Sequence, residues 1–353
     1  MKDQAVNAEF EAVPGVEAAL SPEFAQLVEA LRAYQRSRAL TVVAELGIAD
    51  LLRDRPCSAP ELAHATGTHP SALYRLLRAL ASIGLFVEDE QHRFSLTATG
   101  QYLRTDHPLS ADPLARFFGA DYEWRAWADL LHSVRTGETA AVHALGVDVW
   151  EHRQQHPDDR ATFDAAMRTL SRAQIGPLLA AHDFGRYTQI VDIGGGTGAL
   201  LAGILRTHPL VRGTLFDQPH VIANAAPVLQ EAGIADRVTV VAGDFFSDVP
   251  AGADAYLLRK ILHDWHDADC VRILHAVRRA VTQRSRLLIV DAVVGPPNED
   301  PQSKFLDLMM LVTAGGRERT EPEWRALLAE GRFRLERITS ATPANHVIEA
   351  VPD

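Results

Sequence analysis

The hydrophobic pattern changes period along the chain, and each change marks a different kind of element. From residue 21 to 47 apolar residues return at helical spacing. Ser21-Pro22-Glu23 reads as a helix start: a capping hydroxyl, a proline where no N–H bond is needed, and an acid in the first turn. Phe24, Leu27, Val28, Leu31 and Tyr34 then share one face, and a second helix is expected through Leu40, Val43 and Leu46, stopping at Gly47. Residues 1–20 are weakly patterned. Ser58 and Glu61 have capping-box spacing for a short helix through Leu62 and Ala65 that halts at Gly67. Leu73, Leu76, Leu77, Leu80 and Ile83 line the next helix, ending at Gly84. Leu85-Phe86-Val87 and Phe94-Ser95-Leu96 flank a polar turn, Glu88 to Arg93, as the arms of a hairpin do.

Two short helices and a hairpin make a winged helix, a form that often binds DNA. The second helix carries Arg75 and Arg78, but Glu88-Asp89-Glu90 stands where a DNA-binding wing wants lysines. Packing and dimerisation are therefore expected of residues 1–110, and a DNA-binding regulator is the competing class. Residues 111–182 are expected to be helical and are rich in aromatics, among them Phe118 and Trp124. These residues suit either an internal core or the wall of an aromatic pocket. Met167 and Met309 likewise suit either core or a grip on a planar ring.

From residue 183 to 353 the pattern alternates between strand and helix, as a doubly wound α/β sheet requires. Gln189 to Leu201 is its first unit: the β-branched run Ile190, Val191 and Ile193, a turn holding Gly194, Gly195, Gly196 and Gly198, and a helix from Ala199 to Arg206. Further strands are expected at 213–216, 238–241, 255–258, 287–290, 333–338 and 346–351, with a helix from Val221 to Ala232.

Composition narrows the setting. A chain of 353 residues should form about two domains. No apolar run reaches membrane-spanning length, and Met1-Lys2-Asp3-Gln4 opens no signal-peptide segment, so a cytoplasmic protein is expected. Cys57 and Cys270 offer no disulfide framework or zinc spacing, and no metal-ligand cluster shows in the sequence. A net charge of −11 disfavours a nucleic-acid partner.

The glycine turn fits two ligands by pattern. Gly194, Gly196 and Ala199 satisfy the dinucleotide fingerprint, and Asp192 with the same glycines satisfies D-x-G-x-G-x-G. A carboxylate beside the turn would repel a pyrophosphate but suits S-adenosylmethionine, which brings an ammonium and a sulfonium. Asp217 lies 25 residues beyond Asp192 at the end of the second strand, where an acid can accept both ribose hydroxyls. Asp244 can take an adenine amino group, or merely cap its turn, while Phe245 covers the ring. His263 follows the fourth strand, beside the crevice, as a candidate general base. Asp291 and Glu318 can orient it, and Asp264 is expected to face away.

VDIGGGTG, the aspartate of LFDQP, GDFF, LHDW and GGRERT, in this order, resemble the S-adenosylmethionine-dependent O-methyltransferases of the plant caffeate and bacterial antibiotic-tailoring type. The chain is similar to members acting on mitomycin-like or anthracycline-like molecules, from about residue 21 to the end. The resemblance implies a Rossmann-like methyltransferase sheet with an N-terminal winged-helix dimerisation domain, a homodimer, and an active site between the domains. It implies S-adenosylmethionine held by Asp192, Gly194, Gly196, Asp217, Asp244, Phe245 and Arg259, and catalysis by His263 with Asp291 and Glu318. It also implies a small aromatic hydroxylated substrate sandwiched by Met167 and Met309. Two departures stand out: Arg259 occupies the family's usual lysine position, with Lys260 displaced by one, and Asp291 is a methylene shorter than the plant glutamate. Some relatives use the same cofactor site for decarboxylation or hydroxylation; the presence of His263, Asp291 and Glu318 favours methylation.

Overall fold

The computed structural model describes residues 21–353, so the weakly patterned opening lies outside it. The chain divides into two compact units, one ending at Gly119 and one running from Ala120 to Asp353.

In the first unit Ser21 Oγ accepts the Phe24 N–H at 3.2 Å and starts the helix Pro22–Glu45. Two helices were expected here and one is found, because no glycine or proline interrupts the stretch and its residues tolerate the helix interior. Its halves differ. Leu27 and Leu31 in the front half are 57% and 68% exposed, whereas Val43 near the back joins a core with Ile48, Leu62, Leu77, Phe86 and Phe94. The capping box forms at the start of the helix Ala59–Thr66: Ser58 Oγ accepts the Glu61 N–H and the Glu61 carboxylate accepts the Ser58 N–H, and the helix stops at Gly67 with φ 66°. The next helix, Pro70–Ala81, ends before Ile83, which is exposed rather than part of its buried line.

Strand β1 (Cys57–Ser58), too short to read from periodicity, pairs with β3 (Arg93–Leu96), and β3 pairs with β2 (Phe86–Glu88). The wing acids are engaged at home. Glu88 accepts the Tyr74 hydroxyl at 2.8 Å and faces His92 Nδ1 at 2.7 Å, and Asp89 accepts Arg93 Nε at 3.0 Å. Helix Asp112–Phe118 belongs to this unit because Thr41 Oγ1 donates to Ala115 O at 3.0 Å and Arg38 to Gly119 O at 3.1 Å.

The second unit opens with helices from Asp121–Ala128 to Pro157–Ala181 and continues into a seven-stranded sheet. Its strands are β4 (Gln189–Ile193), β5 (Arg212–Asp217), β6 (Val238–Ala242), β7 (Ala255–Arg259), β8 (Arg286–Asp291), β9 (Phe333–Thr342) and β10 (Asn345–Pro352), in the order β6-β5-β4-β7-β8-β10-β9. The strands from β6 to β8 are parallel; β10 runs antiparallel to both β8 and β9. The chain winds outward from β4 to β6, then restarts at β7 on the other side. That reversal opens a crevice at the carboxyl ends of β4 and β7, the usual ligand site of such sheets.

Helices Asp267–Ala280 and Glu321–Glu330 cover the face holding Val191, Leu258 and Ile289, and Ala199–Thr207 covers the face holding Ile190, Leu257 and Leu288. The helix expected from Val221 to Ala232 is broken into Pro219–Ile222 and Ala225–Glu231. Pro227 explains the break: it cannot donate inside a helix, and restarting at Ala225 puts it in a first turn where no donor is needed. Among the described residues no helix is long and apolar enough to cross a membrane.

Candidate active site

The crevice is built on one side by the glycine turn after β4. Gly194, Gly196 and Gly198 hold φ of 67°, 62° and 84°, the left-handed region where side chains are costly. At Gly194 a Cβ would also come 2.5 Å from Ile261 Cδ1, whereas around Gly196 the space is open, so a ligand can reach bare backbone there. Asp217 ties this turn to β5: Oδ2 accepts the Gly196 N–H at 2.8 Å and Oδ1 the Gln218 N–H at 2.7 Å. Each oxygen retains lone-pair capacity for a hydroxyl.

Asp192 lies within β4, 2% exposed, and its Oδ2 has no hydrogen-bond partner. Burial pushes its pKa up to about 7, with Asp217 adding to the rise and the Arg259 charge opposing it. Arg259 reaches the helix Pro157–Ala181, donating to Ser171 Oγ at 3.0 Å and Gln174 Oε1 at 2.7 Å. Both terminal nitrogens are thus engaged within the protein. Phe245 lies against the turn, 3.7 Å from where a Gly194 Cβ would stand. Asp244 is exposed, and Oδ1 accepts the Phe246 N–H at 2.9 Å, so one oxygen serves its own turn.

The other side gathers ionisable side chains from separate elements. After β7 the 3-10 turn Leu262–Asp264 carries His263, 7% exposed. The loop 315–320 folds back onto this turn: a Cβ on Gly316 would collide with the His263 carbonyl oxygen, and Arg317 N–H donates to that oxygen at 2.9 Å. Glu318 is thereby delivered under the ring, Oε1 2.7 Å from His263 Nδ1, while its own N–H donates to Asp307 Oδ1 at 2.8 Å. Asp291 ends β8 fully buried, with Oδ1 3.8 Å from the same Nδ1, beyond hydrogen-bond range. Neither Asp291 oxygen has a hydrogen-bond partner. Glu318 therefore orients the imidazole, and Asp291 acts on it through charge.

Asp264 does not face away as expected. Its Oδ1 is 3.5 Å from His263 Nε2, because a tight 3-10 turn does not send neighbouring side chains to opposite sides as a strand would. Burial alone would push His263 down, but Asp264, Asp291 and Glu318 together outweigh it and raise the imidazole to about 9. Burial likewise raises Asp291 and would raise Glu318, but the bond from His263 holds Glu318 below its usual range.

Arg319 was not singled out by the sequence, yet it locks this half together. It is 1% exposed and donates to Leu262 O at 3.1 Å, Trp265 O at 3.2 Å and Asp267 Oδ1 at 2.7 Å, clamping the His263 turn to the Glu318 loop. Its place inside GGRERT, beside a site acid, was the available signal.

Met167, Met309 and Trp124 are half-buried in the second unit, and the helix Pro301–Thr313 bearing Met309 packs on Asp121–Ala128 bearing Trp124. Phe118 is exposed at the end of Asp112–Phe118 in the first unit. The fold also brings together groups that sequence spacing did not show: the ligand atoms of His152, His156 and Asp159, and those of His263, Asp291 and Glu318, lie within 4.8 Å of one another. In the second group the 2.7 Å bond from His263 to Glu318 marks an acid–base pair.

The comparisons with known proteins bear on this geometry. A model of the O-methyltransferase domain matches residues 127–334, more than half of the chain, and a model of the O-methyltransferase dimerisation domain matches residues 28–106. The chain belongs to the O-methyltransferase family. This methyltransferase is 42% identical over 327 residues to a phenazine O-methyltransferase of Lysobacter antibioticus, covering 92% of this chain and 95% of that one. It is also 42% identical over 308 residues to a mitomycin biosynthesis 6-O-methyltransferase of Streptomyces lavendulae, covering 86% of each. Its structure resembles that of an O-methyltransferase from neocarzinostatin biosynthesis, solved with S-adenosylmethionine and 2-hydroxy-5-methyl naphthoic acid. The TM-score is 0.76 and the identity 31%, over 90% of this chain and 96% of that one.

The enzyme uses S-adenosylmethionine. The residues present fit that group. The orphaned Asp192 carboxylate, the Asp217 acid at the strand end and the open Gly196 backbone suit a cationic nucleoside and would repel a pyrophosphate.

Proposed function

We propose that the enzyme methylates a phenolic hydroxyl of an aromatic natural product, with His263 as general base. The observation that carries this reading is the 2.7 Å bond between His263 Nδ1 and Glu318 Oε1. A ring tethered through Nδ1–H keeps its basic lone pair on Nε2. S-adenosylmethionine, when bound, supplies a methyl group activated by a sulfonium. His263 Nε2 accepts the phenolic proton as the oxygen becomes a nucleophile, and Glu318 stabilises the imidazolium that forms. Asp291 adds negative charge behind the ring, and burial of the cluster keeps water from the phenolate.

On the cofactor side Asp217 takes the ribose hydroxyls, Asp244 the adenine amino group through its remaining oxygen, and Phe245 the ring face. Asp192, Gly194 and Gly196 shape the turn, and Arg259 balances the Asp192 charge. Met167, Met309 and Trp124 hold the acceptor ring. The naphthoic acid bound by the neocarzinostatin relative supports an aromatic acceptor. The family's dimerisation domain and the exposed Phe24, Leu27 and Leu31 support a homodimer joined through the front of the first helix. Incubation with methyl-labelled S-adenosylmethionine and a panel of aromatic phenols should give a labelled aryl methyl ether. Label found only on nitrogen or carbon, or decarboxylated product without label, would replace this reading.

A further inference from the structure

Lys260 takes no part in the steps above, yet its backbone is left-handed, with φ 53°, uncommon for a residue with a side chain. Its N–H donates to Val290 O at 3.1 Å, which pins this bend to β8 just before Asp291. The bend sends the side chain into the buried acid cluster. Nζ donates to Ala344 O at 3.1 Å, between β9 and β10, and stands 3.7 Å from Asp291 Oδ1 and 3.9 Å from Glu318 Oε1. Apart from His263, it is the ion-pair partner of both acids among the described residues.

We propose that Lys260 is a positioning residue that sets the protonation equilibrium of His263, by standing beside both Asp291 and Glu318 and offsetting the negative charge they place on the ring. A cation set beside two buried carboxylates cancels part of the field they impose on a neighbouring imidazole. At 3.7 and 3.9 Å, with its short bond spent on a carbonyl, the ammonium serves both acids as a point charge rather than neutralising one.

Other charged groups also face the cluster, among them Asp307, whose Oδ1 accepts the Glu318 N–H at 2.8 Å. Asp264 faces His263 from its own turn, its Oδ1 3.5 Å from Nε2, and feels the charge of Arg153. Arg259 acts on Asp291, and Arg319 on Glu318, through charge without forming an ion pair. His346 of β10 also faces Lys260 and Glu318; burial lowers its pKa, so it brings no charge at neutral pH. None of these lies within ion-pair distance of both acids.

The catalytic consequence rests on His263 being the base; the titration itself does not. The test is an NMR titration of the imidazole-labelled full-length protein, without substrate, with the His263 signal identified by its loss in His263→Gln. Lys260→Asn suits the experiment because asparagine accepts the left-handed backbone while removing the charge. It should raise the His263 titration by about one unit. The acidic limb of the kcat/KM profile should move in the same direction, and the melting temperature should fall, because two buried acids lose a shared counter-charge. Lys260→Arg should leave both titrations within a few tenths of wild type. A His263 titration unmoved in Lys260→Asn, or moved equally in both variants, would overturn the proposal. Failure of the base reading looks different: His263→Ala would retain activity whatever the NMR titration showed.

Discussion

The two halves of the active site are constructed in opposite ways. One half is a single unbroken stretch, Gly194 to Gly198, defined by its backbone shape, and one acid, Asp217, anchors it to the next strand. The other half is made of side chains brought from distant places: His263 and the Glu318 it bonds are 55 residues apart in sequence. A backbone site needs little but the right torsions. A site of buried charges depends on every partner being present, because removing one leaves the rest unbalanced in a medium of low polarity.

If the halves are as separable as they look, their variants should fail differently. The largest effect belongs to His263→Ala, which should lower kcat by about 10²–10⁴ while calorimetry finds S-adenosylhomocysteine bound almost as in wild type. Loss of cofactor affinity in that variant would erase the distinction. Asp217→Ala should do the reverse, weakening S-adenosylhomocysteine by about 1.5–3 kcal/mol, or roughly 10–150-fold, through two lost charge-assisted bonds.

The pH profile sharpens the contrast with a smaller effect. His263 is raised to about 9 by its acids, so the ring stays protonated well above the usual histidine range. Activity of the free enzyme, read as kcat/KM, should climb as pH passes through about 9 and fall away below it. Binding of S-adenosylhomocysteine should not follow that curve. A limb at an ordinary histidine value would mean that the three carboxylates do not act on the ring.

The same contrast explains what could be read in advance. The glycine turn, Asp192 and Asp217 belong to one strand-turn-helix-strand unit whose periods are local, and the sheet follows from them. His263, Asp291 and Glu318 could be named because each ends a strand or sits in a marked loop, but their geometry could not. That Asp264 shares the ring with them depends on a 3-10 turn, and that Lys260 turns inward depends on a single torsion. Arg319 bonds carbonyl oxygens, which carry no sequence signature. The single helix Pro22–Glu45 reads as two because its buried positions lie only near its end, and the break at Pro227 hides in a pattern that is helical on both sides of it.

The uneven helix Pro22–Glu45 has a consequence for the enzyme's abundance. Its back half is closed by its own chain, but its front half offers Leu27 and Leu31 to whatever meets it. Once a second copy closes that face, part of the folded state's stability comes from collision, and mass action governs it. Each tenfold dilution then removes about 1.4 kcal/mol from the dimer's advantage over its separated chains. The melting temperature should fall steadily as the protein is diluted, and a Leu31→Glu variant should melt lower and independently of dilution. A cell making little of this enzyme would hold it in a less durable form than one making much.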